Sequence, residues 1–246
     1  MMGFGAEHLI REDLAAAYRL VHLHGWGESI YNHIAARVPD RPGYMLMKRN
    51  DLAYPEVTAN NLVEVAIDAD LDEASGVNRP GYVLHAGVMQ ARSDIGASLH
   101  LHTPEVIALS TRPDGLRMLS QYAVRFWGRI GYHEYEGITD GLAERPRIVA
   151  NLGAGIALMM RHHGALLVGR SVAQAFIAAK DLVEACRVQL LAESGGKPCL
   201  EISPAVCDAT AAQFRRHDEG RGNADWPSYR RDLDQRCPDY RGEDGS

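Results

Sequence analysis

His100 and His102 stand one residue apart in the run Ala97-Ser98-Leu99-His100-Leu101-His102. The run reads as a buried strand. Side chains alternate faces along a strand, so both imidazoles leave one face while Leu99 and Leu101 take the other. Two neutral nitrogen donors on a stiff element make half of a site for a divalent ion. A third donor is offered by Arg161-His162-His163-Gly164, which again lies between strand-like apolar runs. A lone buried histidine is ordinarily a hydrogen-bonded core group; a His-x-His pair on an apolar strand with a distal His-Gly favours a metal. Three imidazoles would leave coordination positions open, where a substrate carbonyl and an adjacent oxygen can chelate. Such an ion acts as a Lewis acid and stabilises the enolate left when a neighbouring C–C bond breaks.

The elements that must position these groups alternate between helix and strand. Residues 11–24 carry Leu14, Ala15, Tyr18, Val21 and His22 at helical spacing, and Gly25 ends the element. Ile30 to Arg37 and Tyr44 to Met47 read as strands paired around a Pro39–Gly43 turn. Leu62 to Ile67 reads as a strand or short helix before an acidic loop, Asp68–Glu73, and Tyr82 to Arg92 as a helix leading into the His-x-His strand. Thr103-Pro104 then opens a helix, with Thr103 at the N-cap and Pro at the first helical position. The clearest helix spans 172–193. Ser171 and Gln174 form a capping pattern, a long apolar stripe runs along it, and Gly195-Gly196 stops it. Beyond Pro204 the composition predicts a charged tail, partly extended, anchored by Trp226 and Tyr229. This succession predicts an α/β fold with a mostly antiparallel sheet.

The chain has 246 residues and is 46% hydrophobic, enough for a full core. Its net charge of -6, with no dense basic stripe before the tail, excludes a nucleic-acid surface. No apolar run approaches the ~20 residues a membrane span needs, and residues 1–11 lack the order of a signal peptide. Four scattered cysteines without a C-x-x-C pair give neither a zinc ribbon nor a disulfide framework. These features are those of a cytoplasmic protein without membrane or nucleic-acid partners.

The order of motifs resembles the class II aldolase/adducin family, in its adducin-head-like bacterial branch. The matching runs are Tyr31-Asn32-His33-Ile34-Ala35-Ala36-Arg37, Tyr54-Pro55-Glu56-Val57-Thr58 and Leu99-His100-Leu101-His102-Thr103-Pro104. They continue with Gly131 to Gly137, Arg161 to Gly169 and the Ser171–Gly195 helix, covering roughly residues 8–196. The resemblance implies a three-layer α/β/α domain over residues 1–200, with 201–246 as the tail. It also implies a homotetramer with sites between subunits, and a divalent metal (Zn, Mn, Fe or Co) held by His100, His102 and His163. His162 would then point away or act behind the ligands.

The chain departs from the sugar-phosphate members of the family. Their Ser-Ser-Glu, whose Glu contacts metal and moves protons, reads Arg79-Pro80-Gly81 here, and their Thr-Gly phosphate turn reads Asn50-Asp51. Asn32 alone survives from the phosphate loop. An Asp repels a phosphate by like charge, whereas Arg79 can pair with a planar carboxylate. These changes favour an unphosphorylated hydroxy- or oxo-carboxylate substrate, with Asn32 and Arg79 binding it. Decarboxylation tolerates the missing base better than aldol cleavage, because no proton need leave before the C–C bond breaks. Tyr122 is a candidate proton donor to a neighbouring subunit's metal, and His133 a candidate behind the ligands. A non-haem Fe(II) oxygenase and a non-catalytic adducin-like binding module are the competing readings.

Overall fold

The structure is a computed structural model that describes residues 5–69, 71, 75–139, 141–220 and 225–242. Asp70, Asp72 and Glu73 of the expected acidic loop lie outside the described residues, as does the terminal Asp244-Gly245-Ser246. In chain order the elements are α1 (Ala6–Leu23), β1 (His33–Val38), β2 (Arg41–Met47), β3 (Val63–Ala66) and α2 (Arg79–Ala91). Then come β4 (Ala97–Leu101), α3 (Pro104–Ser110), α4 (Gln121–Val124), β5 (Ile130–His133) and α5 (Arg145–Leu152). The chain closes with β6 (Ala157–Met160), β7 (Gly164–Gly169), α6 (Val172–Glu193), α7 (Pro204–Gly220) and α8 (Trp226–Arg236).

The seven strands form one sheet in the order β3-β2-β1-β4-β7-β6-β5. Among the described residues only the β5–β6 pair is parallel. Period-two alternation decides which layer each residue meets. Ile34, Ala36, Leu99, Leu101 and Leu167 face α1, α3 and α6 in one apolar core. Ala35, Met45, Met47, Leu166 and Val168 join α2 and α5 in the other. Ser98 and His100 alternate with the first set, so they face the α2 layer. The split expected between Leu99 and Leu101 on one side and His100 on the other is what the sheet shows, giving three layers.

Thr103 is the N-cap of α3 as expected, with no side-chain cap bond and its Oγ1 buried without a partner. The apolar stripe of α6 is covered within the chain: the helix packs on β4, β7, α1, α3 and α4, and its residues are buried on most sides. The tail is not extended in its described part but folds as α7, α8 and a 3-10 turn at Pro238–Arg241. Its last part is tied to α1: Arg230 Nη2 donates to Glu12 Oε2 at 2.7 Å, Trp226 Nε1 to Asp13 Oδ1 at 2.9 Å, and Arg19 Nη2 to Asp239 Oδ2 at 2.7 Å. Tyr240 and Leu233 are fully buried against the α1 layer. Among the described residues no helix is long and apolar enough to cross a membrane, and all four cysteines are free.

Candidate functional site

The site lies where β4 ends and β7 begins. β4 places His100 on the α2 face, and His102 follows just past the strand. His163 arrives on the tight β6–β7 connection, where His162 takes the left-handed φ of 61° and His163 N–H bonds Met160 O. Gly164 permits this approach: a Cβ there would lie 2.3 Å from Leu101 O and 2.9 Å from His102 Cδ2. One ligand atom each from His100, His102 and His163 then falls within 4.8 Å of the others. His162 is exposed and lines the cavity behind this group, its N–H bonded to Ser110 Oγ.

The partners of two imidazoles fix their tautomers. His100 Nδ1 lies 3.0 Å from Ala165 O, an oxygen that can only accept, so Nδ1 carries the proton. His102 Nδ1 lies 2.7 Å from Glu28 Oε2, which orients that ring in the same sense. Both Nε2 atoms are left with lone pairs, and they face each other across 2.7 Å. Two lone pairs meet this closely only around a positive charge, and a third imidazole converging on the same point suits a metal cation better than a shared proton. Burial, reinforced by the neighbouring imidazoles His33, His102 and His163, holds His100 well below the usual histidine range. Burial and then His102 lower His163 to about 4. Both rings therefore stay neutral at physiological pH, the state a metal requires.

A second group of histidines lies against the first. β1 runs antiparallel to β4 with His33 opposite His100, and the two rings stack at 4.9 Å between centroids. His33 Nδ1 pairs with His85 Nε2 at 2.8 Å, and His85 Nδ1 with Ser98 Oγ at 2.6 Å. His33 and His85 are almost fully enclosed; burial pushes His85 to about 3 and His33 well down. The ring of His33 occupies the space beside residue 81. A Cβ on Gly81 would meet His33 Cδ2 at 2.6 Å and Cγ at 2.7 Å. The residue type at the position of the family's carboxylate is thus dictated by an imidazole from the adjacent strand.

These groups open onto a cavity of about 330 Å³ that also takes in Tyr31, Asn32, Tyr135 and Ile138. Asn32 lines this cavity: Nδ2 donates to Trp26 O at 3.0 Å, while Oδ1 is buried without a partner. Its φ of 59° is left-handed, which asparagine tolerates better than most residues. The other expectations are corrected. Arg79 is exposed, does not line the cavity, and donates from Nη1 to Leu71 O at 2.6 Å. Asp51 is held by Arg49 at 2.6 and 3.0 Å and does not line the cavity either. His133 is buried beneath the site between Glu144, at 3.0 Å from its Nε2, and Asn151, whose Nδ2 donates to its Nδ1 at 2.8 Å. Its two nitrogens are spent on the scaffold. Tyr122, expected to serve a neighbouring subunit, is not among the corrected residues: it lies on α4, away from the histidine cavity of its own chain, with Lys180 over its ring.

Sequence reasoning missed Glu28, His33, His85 and Ser98. Glu28 gives no periodic signal, because it sits on the α1–β1 connection far from its partner. His33 was legible as a polar residue at the entry of an apolar strand, but its use depends on which strand β1 pairs with.

Residues 12–190 match the family described as Class II Aldolase and Adducin N-terminal domain. A Pseudomonas aeruginosa protein provisionally named an aldolase class 2 protein is 38% identical over 242 residues, covering 96% of this chain and 93% of its own length. Rat alpha-adducin is 41% identical over 197 residues, 77% of this chain but 27% of alpha-adducin. Among solved structures, an aldolase II superfamily protein from Pseudomonas syringae superposes with a TM-score of 0.89 at 39% identity, covering 98% of each chain. L-fuculose 1-phosphate aldolase from Glaciozyma antarctica shares the fold, with a TM-score of 0.84 at 20% identity over 99% of this chain and 97% of its own. The chain belongs to the class II aldolase/adducin family.

Proposed function

We propose that the protein is a divalent-metal-dependent lyase that breaks a C–C bond next to a carbonyl in an unphosphorylated hydroxy- or oxo-carboxylate. The observation that carries this reading is the pair of opposed Nε2 lone pairs of His100 and His102, fixed by Ala165 O and Glu28, with His163 converging on them. A bound divalent cation supplies Lewis acidity for the charge that develops on the carbonyl oxygen. Among the described residues that line the cavity there is no lysine or arginine. A phosphate dianion would find no counter-charge among those residues, which supports a carboxylate that takes part in the chelate itself.

The remaining steps fall to the protein's own residues. Asn32 Oδ1 offers an acceptor for a substrate hydroxyl. His33 Nδ1 is engaged by His85, so Nε2 is the atom left to hold or deliver a proton in the place of the family's carboxylate. Ser98 and His85 hold that ring upright. Tyr31, Tyr135 and Ile138 restrict water at the mouth. Decarboxylation suits this set better than aldol cleavage, because the only proton it moves is delivered to the enolate after the bond has broken.

The test is metal analysis of the purified protein followed by turnover of a panel of hydroxy- and oxo-acids, with chelator, with added metal, and with oxygen uptake recorded. Chelator-sensitive lyase activity that survives in anaerobic buffer is the expected result. Oxygen consumption coupled to product would identify a non-haem iron oxygenase instead, and robust cleavage of sugar phosphates would remove the carboxylate assignment. In the same assays His33→Asn should keep its metal and lose turnover.

The identity with alpha-adducin, at 41%, favours a second reading, a metal-containing binding module without turnover. A fully metal-loaded protein inert to the whole panel is its expected signature. We also infer a homo-oligomer, a tetramer by family resemblance. Its support is the apolar rim of the cavity, where Ile138 is 76% exposed and Tyr31 and Tyr135 stand beside it. Tyr122 would reach a metal only across such an interface. Light scattering of a monomer at micromolar concentration would remove both.

A further inference from the structure

At the opposite ends of β4 and β7 the fold encloses a second cavity, of about 180 Å³, that the lyase reading does not use. Five arginines reach it, namely Arg92, Arg125, Arg129, Arg170 and Arg215, against three acids, Asp94, Asp218 and Glu219. Two of those acids are already committed. Asp94 is gripped by both arms of Arg92, at 2.6 and 3.1 Å, and Asp218 accepts Arg125 Nη1 through both oxygens at 3.0 Å. Arg125 also bonds Asp181 at 2.5 Å, and Glu219 is exposed. Three guanidinium groups remain. Arg129 Nη1 is buried with no hydrogen-bond partner, and stands 3.9 Å from Asp218 Oδ2. Among the described residues, the guanidinium groups of Arg170 and Arg215 have neither a hydrogen bond nor an ion pair.

A buried, unsatisfied guanidinium N–H costs free energy wherever it has no acceptor. Arg129 is the one such group at this void; with the exposed guanidinium groups of Arg170 and Arg215 beside it and two of the three carboxylates taken, the arrangement is one that a multivalent oxyanion satisfies and a neutral molecule does not. The rest of the wall is mixed: Ile95, Ile156, Val168 and Ile177 are apolar, and the amide of Gln174 is bonded to Arg170 N and Asp218 O. The void is larger than a bare phosphate and leaves space for a small organic body against these side chains. Along β7, seven residues separate His163 from Arg170, about 23 Å at the strand rise of ~3.3 Å per residue. The two sites therefore share strands but no lining residue.

We infer that this arginine-lined cavity binds a small phosphate-bearing anion, at a site separate from the histidine centre. Arg129, Arg170 and Arg215 supply the donors for the phosphate, and the isoleucine and valine wall packs the organic part. Arg92 and Arg125, locked on their own carboxylates, shape the pocket and add to its positive potential.

Calorimetric titration of the full-length protein with inorganic phosphate, glycerol phosphate and succinate tests this. One phosphate per chain should bind, glycerol phosphate more tightly, and succinate weakly. Arg215→Gln, at an exposed position that leaves folding undisturbed, should cost about tenfold in affinity, the usual scale for one charged hydrogen bond, and Arg129→Met at least as much. His163→Ala should bind phosphate as the wild type does. Absence of binding at 10 mM ligand on the order used for weak anion sites, unchanged affinity in Arg215→Gln, or loss of binding in His163→Ala would each overturn the assignment. Equal affinity for succinate would overturn the choice of phosphate.

Discussion

At one end of β4 and β7 the polar groups are neutral imidazoles whose lone pairs converge; at the other they are guanidinium groups that outnumber the carboxylates between them. Both ends crowd donors or acceptors of one kind around a void, and both leave a local demand that the chain does not meet. The difference is in how charge is carried. Histidine yields its proton when buried, so the first end can wait without charge for a cation. Arginine does not, so the second carries its charge permanently and must pair or hydrate it. One architecture thus hosts a site that imports positive charge and a site that is built from it.

Perturbing each end while watching the other breaks or sharpens this contrast. The largest effect is expected from the ligands. His100→Ala, His102→Ala or His163→Ala should cost more than about a hundredfold in metal affinity, beyond what loss of an outer partner costs, measured by metal content after dialysis against a mild chelator. Retention of full metal content by His100→Ala would put the cation elsewhere. Glu28→Gln should follow at roughly ten- to a hundredfold, because it loosens the ring of His102 without removing a donor; metal-competition titration separates the two. Arg129→Met should leave metal affinity untouched.

Mild acid should act mainly at the histidine end, since the Asp94 carboxyl at the other end is held below its ordinary value by Arg92. His85, at about 3, and the deeply buried His33 and His100 take up protons in the folded state far below the value of an unfolded histidine. Between about pH 6.5 and 4 the unfolded chain therefore binds more protons than the native one, and stability falls as pH falls. The slope approaches about 1.4 kcal/mol per pH unit for each histidine kept neutral. Urea melts of the metal-free protein across that window measure it, and His85→Gln should flatten the slope. A flat profile in the unmodified protein would mean these rings are solvated. The smallest effect is expected at Arg79. Arg79→Glu, at an exposed residue outside the cavity, should change stability by less than about 0.5 kcal/mol and leave metal content and KM alone. A large rise in KM would return Arg79 to the substrate.

The metal-side half of the fold was legible from local pattern. Alternation along Ala97–His102 sent His100 and Leu99 to opposite layers, and the Ser171 cap and 172–193 periodicity placed α6 to the residue. What escaped was set by pairing between distant segments. Nothing near Arg79 announces that its side chain turns to Leu71 O, because the helix start fixes its backbone and not the direction of a long flexible arm. Gly81 read as the loss of a carboxylate, whereas the fold adds the reason, a ring from β1 in the vacated space. The tail read as partly extended because its charges are many. Arg230 and Asp239 pair with Glu12, Asp13 and Arg19 on α1, more than two hundred residues earlier.

The connection between α1 and β1 carries Glu28, which steadies a ligand ring, and Tyr31 and Asn32, which wall the cavity. Ser29 and Asn32 both hold left-handed backbone there without being glycine, so the loop is costly to keep in this shape. Whatever anchors Glu28 through His102 therefore also stabilises the wall that receives the other ligand, and the converse must hold by thermodynamic reciprocity. Cation loading should slow amide hydrogen exchange across residues 25–32 and raise the affinity for a bound acid by the same factor by which that acid tightens the cation.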